Sequence, residues 1–576
     1  MNTVTTTEWI FPATESPLCH QIVTEFGIHP VIAKILVARG LQTISDVHEY
    51  LYGKLPNLYD PDLFPDMDAA VQRIIAAIDR KEAILIYGDN DVDGMSAAAL
   101  LTEFFSSLGG IVFFNVPERT ALKKSLLGGA LGFATERSCK LLITVDCGIT
   151  AAKEIADVVA KGIDVIVTDH HEPTSKIPHC LATLNPKLLN STYPNRDLTG
   201  VGVAFKLAHA VANAWMEEGR FLEHHIDMKH YLDLVAMGTI ADMAPLRGEN
   251  RILVRYGLKE IASKHRIGLE QLIDIAQVDP LRITPTDIAS KVAPRLNSLG
   301  RIADPIKGVE LLLCKDKTKA AELVQELDIN NLERQRIEKS ALQHVEELLL
   351  KSPSILEHKA IVLASEKWHP GIIAILSARI AKQYNRPTLV ISLEQGIGKG
   401  SLRTIPEFPL LPLLRSTEEW LINYGGHDYA AGLTIHENNI DTFRQAFYKA
   451  ADKSLKDLDL IAKIYLDASI TFPEITFDFM EALSLLEPIG HDNPPPLFFT
   501  DVNQVWMPKQ VGRHHLKLFL EQKERMLEGI AFNLAPKIHL LQQKGVKLRI
   551  AFTPYVNTFH SKTSLQLQIK DFKVIT

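Results

Sequence analysis

Short apolar runs that stop abruptly at aspartate or histidine constrain this chain more than any other feature. Ala83-Ile84-Leu85-Ile86-Tyr87 leads into Gly88-Asp89-Asn90-Asp91-Val92-Asp93-Gly94. Leu142-Ile143-Thr144-Val145 leads into Asp146-Cys147-Gly148, and Val165-Ile166-Val167-Thr168 into Asp169-His170-His171. A fourth segment, Gly238-Thr239-Ile240-Ala241, closes on Asp242. Continuous apolar runs of about four to eight residues read as strands buried on both faces of a parallel sheet. Ligands of open α/β sheets collect beyond the carboxyl ends of such strands. Carboxylates and imidazoles gathered there would repel one another or stay desolvated if packed alone. A pair of divalent cations resolves that conflict and makes a two-metal phosphoesterase site the leading reading.

Helical stretches alternate with these runs. The pattern predicts a helix at about 69–80, an Ala/Leu-rich helix from Met95 to Leu108, a strand at Ile111–Val116, and a helix at Thr150–Lys161. That order argues for a parallel, doubly wound sheet. A second α/β unit begins near residue 358, with Ala360–Ala364, a helix from Gly371 to Tyr384, and Thr388–Ile391. Between the two units, Thr318–Lys351 contains no Gly or Pro. One helix over this stretch would span about 50 Å and act as a spacer that leaves a groove between domains. Near the end, Leu516 and Leu518 flank Lys517, while Leu565, Leu567 and Ile569 alternate with glutamines. Period-two patterning predicts an antiparallel domain, read as a small barrel.

A chain of 576 residues exceeds one core, so three or four domains are expected. Its net charge of −7 disfavours a coat for nucleic acid while allowing a basic groove on an acidic body. Five scattered cysteines without a CxxC pair suggest a reducing cytosol, not a disulfide scaffold. No signal peptide or membrane span is expected, so the reading is cytoplasmic.

Asp89-x-Asp91-x-Asp93-Gly94 also opens like a calcium EF-hand loop. That loop needs a bidentate Glu at its twelfth position; here the twelfth residue is Leu100, and an apolar strand precedes the loop. The EF-hand reading fails, whereas a generic Asp-rich turn stays open on this segment alone. Asp146, Asp242 and the His170-His171 pair are each weak singly. Jointly, Asp91, Asp93, Asp146, His170 and Asp242 supply the oxygen and imidazole donors of a dinuclear centre. No nucleophile elbow or Walker loop competes. Gly398-Lys399-Gly400-Ser401-Leu402-Arg403 and Gly425-Gly426-His427-Asp428-Tyr429-Ala430-Ala431-Gly432 read as glycine-rich loops suited to an anion, or as tight turns with close backbone packing.

The segments around Asp89–Gly94, Asp146–Gly148, Asp169–His171 and Gly238–Asp242 resemble, in order and spacing, the signature motifs of the DHH phosphoesterase superfamily. Gly398–Arg403 and Tyr424–Leu433 resemble its DHH-associated domain. Leu198–Leu207, Ala293–Arg301 and Leu486–Phe498 are similar to stretches of the RecJ family of single-stranded-DNA exonucleases. The resemblance implies an N-terminal helical extension (1–68), a parallel doubly wound DHH domain (69–310), and a connecting helix (311–352). A DHH-associated α/β domain (353–452) and a C-terminal β-barrel of the OB-fold kind (453–576) follow. It implies two Mn²⁺ or Mg²⁺ ions held by Asp91, Asp93, Asp146, His170 and Asp242, with Asp89 beside them, and His171 on the scissile phosphate. Arg119, Arg295, Asn297, Ser401, Arg403 and His427 would gather the substrate and its 5′-phosphate. Implied partners are the 5′ end of single-stranded DNA, a single-strand-binding protein and a RecQ-type helicase. The implied reaction is 5′-to-3′ hydrolysis in repair and recombination.

The chain departs from the family pattern in places. Asn90 stands where an aromatic is usual, Lys123–Gly129 replaces a Glu-Gly-Tyr-Gly-Leu run after Arg119, and Leu402 replaces a smaller residue. Trp506, Phe519 and Phe552 are candidates both for base stacking and for core. Two rivals remain: a relative acting on short oligoribonucleotides or cyclic dinucleotides, and a non-enzymatic DNA-binding scaffold. The extra β domain argues against the first, and the full set of matched ligands against the second.

Overall fold

The structure is a computed structural model describing residues 7–12, 16–118, 126–220, 227–406, 408–543, 545–559 and 562–575. The chain divides into two compact units: Lys54–Lys456 with Gly490–Asp492, and Met1–Gly53 with Asp457–Ile489 and Asn493–Thr576.

In the larger unit, the expected strands pair in parallel, in the order Ile111–Asn115, Ala83–Gly88, Leu141–Val145, Asp164–Thr168, Ala182–Leu184. Ile84, Ile86, Leu141 and Ile143 enter one core, while Leu85, Tyr87, Leu142, Val165 and Val167 enter another on the opposite face. Burial on both faces explains why these segments are apolar without alternation. The sheet grows to one side from Ala83–Gly88 to Ile111–Asn115 and to the other from Leu141–Val145 onward, so the strand order reverses between Ala83–Gly88 and Leu141–Val145. Such a switch point opens a crevice at the carboxyl ends, and Asp89 and Asp146 leave the sheet there.

The fourth acidic segment does not leave a strand. Leu232–Ala241 is an α-helix, and Asp242 is its C-cap. Every residue from Leu232 to Ile240 is buried, so no polar face remains to reveal a helical period.

The predicted long helix forms over Lys317–Lys351, with Asp316 accepting from the Lys319 amide at 2.7 Å as its N-cap. It does more than hold domains apart. Ala320, Val324 and Leu327 belong to the first α/β core, and Ala341, Val345 and Leu349 to the second. One rigid element is thus shared by two cores.

The second sheet runs in the order Leu421–Gly426, Ala430–His436, Ile397–Arg403, Thr388–Glu394, Ile361–Ser365, with only the last pair parallel. The two glycine-rich segments expected as loops are therefore largely strands. A Cβ on Gly400 would lie 2.7 Å from Leu433 Cδ1, so that glycine makes room for a neighbouring side chain. Gly426 has φ 136° and closes the hairpin whose tip carries His427.

In the smaller unit, Phe498–Val511 pairs with both His515–Gln522 and Lys547–Phe559, and Arg525–Ala531 pairs in parallel with Lys562–Val574. With the remaining antiparallel pairings this closes a five-stranded barrel. Leu516, Leu518, Leu520, Leu567 and Ile569 of the barrel belong to one core that also holds Ile22, Ile32 and Leu36 of the N-terminal helices. Phe552 is fully buried there, which removes it as a stacking residue, whereas Trp506 is 51% exposed and packs edge-on to Phe519. Among the described residues, no helix is long and apolar enough to cross a membrane.

Candidate metal centre

Asp91 N-caps the Val92–Ser107 helix, its Oδ1 accepting from the amides of Asp93 at 3.0 Å and Gly94 at 3.1 Å. Asn297 Oδ1 accepts from the Val92 amide at 3.1 Å. The positive end of a helix dipole therefore opens onto the acidic loop.

Asp93 is the second residue of that helix and is buried. Its two oxygens accept from Gly200 N at 2.7 Å and Val201 N at 2.9 Å, the first amides of the Gly200–Glu217 helix. A Cβ on Gly238 would stand 2.5 Å from Asp93 Oδ1, and one on Gly200 would stand 2.4 Å from Asp146 Cβ. Both glycines are required by close approach to a carboxylate.

Asp146 holds a left-handed backbone, φ 59°, which aspartate tolerates better than most residues. Its Oδ1 is buried, receives no hydrogen bond, and lies 3.1 Å from His170 Nε2. The same nitrogen is 4.0 Å from Asp93 Oδ2 and 3.8 Å from Asp242 Oδ2. One imidazole thus faces carboxylates from three chain segments.

Asp169 organises the pair of histidines. Its Oδ1 accepts from the amides of His170 at 2.7 Å and His171 at 3.0 Å and meets His171 Nδ1 at 2.8 Å, while Oδ2 accepts from Ile149 N at 2.9 Å.

Electrostatics sharpen the picture. Burial, then the charges of Asp242 and Asp91, push the Asp93 carboxyl well above its ordinary range; burial and the Asp93 charge do the same to Asp146. Burial and Asp91 raise Asp242 to about 7. Burial and the neighbouring His171 charge bring His170 down to about 3, leaving a neutral imidazole at physiological pH. Burial also pulls on His171, but the Asp169 hydrogen bond and surrounding carboxylates override it and raise His171 to about 9.

Clustered buried carboxylates, an orphaned buried oxygen and a neutral imidazole are the donor set that a hard divalent cation completes. Among the described residues, ligand atoms converge in two groups that share His170: Asp146–His170–His171 and Asp93–His170–Asp242. The chain meets the requirements for bound metal.

Comparison with known proteins agrees. The family model described as "DHH family, N-terminal domain" matches residues 83–239, "DHHA1 domain" matches 357–453, and "RecJ OB domain" matches 466–571. The single-stranded-DNA-specific exonuclease RecJ of Dickeya dadantii is 33% identical over 94% of this chain and 95% of its own length. The chain belongs to the RecJ family. RecJ of Bacillus subtilis is 32% identical, covering 98% of this chain and 71% of that relative. The crystal structure of Thermus thermophilus RecJ in complex with Mn²⁺ superposes with a TM-score of 0.83 at 28% identity, covering 98% of this chain and 79% of that one. A Mg²⁺ complex from the same organism gives 0.77.

The other sequence-derived residues fall outside the ligand groups. Asp89 Oδ1 accepts from the Asn90 amide at 2.5 Å and adds negative charge around Asp146. Asn297 caps a helix, as described. Arg295 pairs with Asp328 of the long helix at 2.8 Å and also donates to the Lys291 carbonyl. Arg403 donates to Ser401 Oγ at 3.2 Å, so these two do sit together on one strand. His427 lies within electrostatic reach of His171 and Lys187. Arg119 and Lys123–Ser125 of the divergent loop lie outside the described residues, while Leu126–Gly129 form a short 3-10 helix. Sequence reasoning passed over Asp169 as an organiser and the Gly200 and Val201 amides as a clamp. Thr199-Gly200-Val201-Gly202 carries the signal, since Thr199 is an N-cap residue preceding a glycine that leaves its amide accessible.

Proposed function

We propose that this chain is a metal-dependent exonuclease that hydrolyses phosphodiester bonds of single-stranded DNA from the 5′ end. The observation that carries the reading is the neutral His170 ring set within 4.0 Å of Asp93, Asp146 and Asp242. Membership in a family of single-stranded-DNA-specific exonucleases supports the substrate, and the barrel matched by the RecJ OB model supports a strand-binding surface. Asp91, Asp93, Asp146, His170 and Asp242, with Asp89 alongside, are the proposed holders of two Mn²⁺ or Mg²⁺ ions. When bound, such ions supply Lewis-acid polarisation of the scissile phosphate and neutralise charge on the leaving oxygen.

The chain's own residues do the positioning. Asp169 fixes His171 through Nδ1, which leaves Nε2 free to donate to a phosphoryl oxygen, and a group held near 9 carries that proton at neutral pH. Asn297 and Asp91 fix the helix start that aims the acidic loop. Arg119, Arg295, Ser401, Arg403 and His427 are the proposed 5′-end contacts. For Arg295 that role requires exchanging Asp328 for phosphate.

A single-strand-binding protein and a RecQ-type helicase are the proposed partners, because an enzyme that takes single strands must receive them from proteins that coat or unwind. All five cysteines are free, in keeping with a cytoplasmic location. Strands labelled at the 5′ or 3′ end, incubated with and without Mn²⁺, test the reading. Mononucleotide release from the 5′ label first, dependent on metal and reduced by several orders of magnitude in Asp146→Ala, is the expected result; near-normal turnover in that variant would overturn it.

A further inference from the structure

Beside the metal centre, one lysine is held in an arrangement the mechanism has not used. Asn185, fully buried, donates from Nδ2 to the His171 carbonyl at 2.9 Å and accepts at Oδ1 from the Lys187 amide at 2.8 Å. The Lys187 carbonyl in turn accepts from Arg196 at 3.0 Å. The Lys187 backbone is thereby tied to the loop that presents His171. Its side chain is 20% exposed, and its ammonium reaches Glu172 at 3.4 Å, a carboxylate 58% exposed. That ammonium lies within electrostatic reach of His170, Asp242 and His427. His427 loses charge through burial and through Lys187, and Lys187 is a cation within reach of both the metal cluster and the hairpin tip.

We propose that Lys187 is a substrate-binding residue that takes a DNA backbone phosphate at the mouth of the metal centre, with Glu172 occupying its ammonium until DNA arrives. The proposal deepens the exonuclease reading and rests on it. The pair contrasts with Lys206 and Glu249, which are fully buried and share Tyr59 and Tyr193 as further partners. That pair is permanent. The Lys187–Glu172 contact is long and open to water, where ion pairs hold weakly, and a phosphate oxygen is a ready replacement.

The full chain decides the matter in two measurements. The first is binding of a 5′-phosphorylated oligonucleotide in chelator across a salt series, and the second is Mn²⁺-dependent steady-state turnover. Lys187→Ala is expected to raise Kd and KM roughly tenfold, as loss of one charged contact would, with kcat changed much less. The slope of log K against log salt should fall by about 0.7. Lys187→Arg should restore most of the loss. Glu172→Gln should bind about two- to threefold more tightly, since it frees a cation for phosphate, and that gain should vanish when Lys187→Ala is added. Unchanged affinity and salt slope in Lys187→Ala would overturn the proposal, as would a Glu172→Gln gain that survives in the double variant. If Lys187→Ala melts below the parent, Glu172→Gln decides alone, weaker binding there being fatal. A parent chain that cuts no single strand would instead sink the exonuclease reading.

Discussion

At the scale of single residues, function here depends on what is missing as much as on what is present. Gly238 has no Cβ because Asp93 Oδ1 would lie 2.5 Å and Val201 Cγ1 2.7 Å from it. Gly238→Ala should cost stability of about 1–3 kcal/mol from overpacking. Displacing Asp93 should lower turnover by roughly a hundredfold, the scale of a misplacement near one ångström; a melt and a kcat measurement separate the two effects. Titration gives a second prediction. His171, raised to about 9 against an ordinary 6.5, binds its proton more tightly when folded, so its contribution is complete below 6.5 and is lost as pH rises through 9. Asp242, raised from 3.8 to about 7, works in the same direction, its contribution being lost as pH rises through 7, at the lower end of that range. His170, lowered to about 3, opposes them only below 6.5. The metal-free protein should therefore melt higher at pH 6.5 than at pH 9. Stabilisation by Mn²⁺ should be larger at pH 9, where carboxylates need no proton released. Scanning calorimetry with chelator and with Mn²⁺ checks both; a melting point that rises with pH in chelator would contradict the assignment.

At the scale of elements, two loops, two helix starts and the helix end at Asp242 make the site, and Asp169 is the pin between loops. It joins the loop at Ile149 to the turn at His170 and His171 through four contacts of 2.7–3.0 Å. Asp169→Asn keeps the shape but removes the charge that holds His171 protonated. The basic limb of the kcat profile should move to lower pH, with activity at pH 8 falling more than activity at pH 6. An unshifted limb would show that His171 is not the proton donor. Helices serve the site through their ends: the Val92–Ser107 start is capped by Asp91 and Asn297, and the Gly200–Glu217 start clamps Asp93. The long Lys317–Lys351 helix serves through its length, since its two halves are packed into two different cores.

At the scale of the whole molecule, the N-terminal helices and the barrel share one core, with Ile22, Ile32 and Leu36 beside Phe472 and Leu516. Cutting at residue 453 alone would strip those helices of their partner and leave an aggregation-prone apolar face. Removing 1–53 and everything after Lys456 should give a folded chain that still hydrolyses very short oligonucleotides with Mn²⁺. If the barrel grips single strands, long strands should bind the shortened chain more weakly and with a shallower salt dependence. A cooperative melt establishes folding, and unchanged affinity for long strands would make the barrel a structural or partner-docking module.

The residues of the metal centre were legible in the chain because each closes an apolar run, and a parallel sheet buried on both faces gathers such ends at one edge. Ala83–Gly88, Leu141–Val145 and Asp164–Thr168 could be placed as strands for that reason. Leu232–Ala241 could not be assigned, since a helix buried on every side has no polar period to distinguish it from a strand. The glycine-rich segments ending at Arg403 and Gly432 looked like loops because composition records flexibility, whereas Leu433 and its neighbours decided that glycine was there for packing. Only tertiary structure shows that Gly200 and Val201 hold Asp93, that Asp169 holds the His171 amide, and that Asn185 takes the Lys187 amide. Those contacts join residues through backbone amides, and every residue but proline has one, so no side-chain pattern announces them.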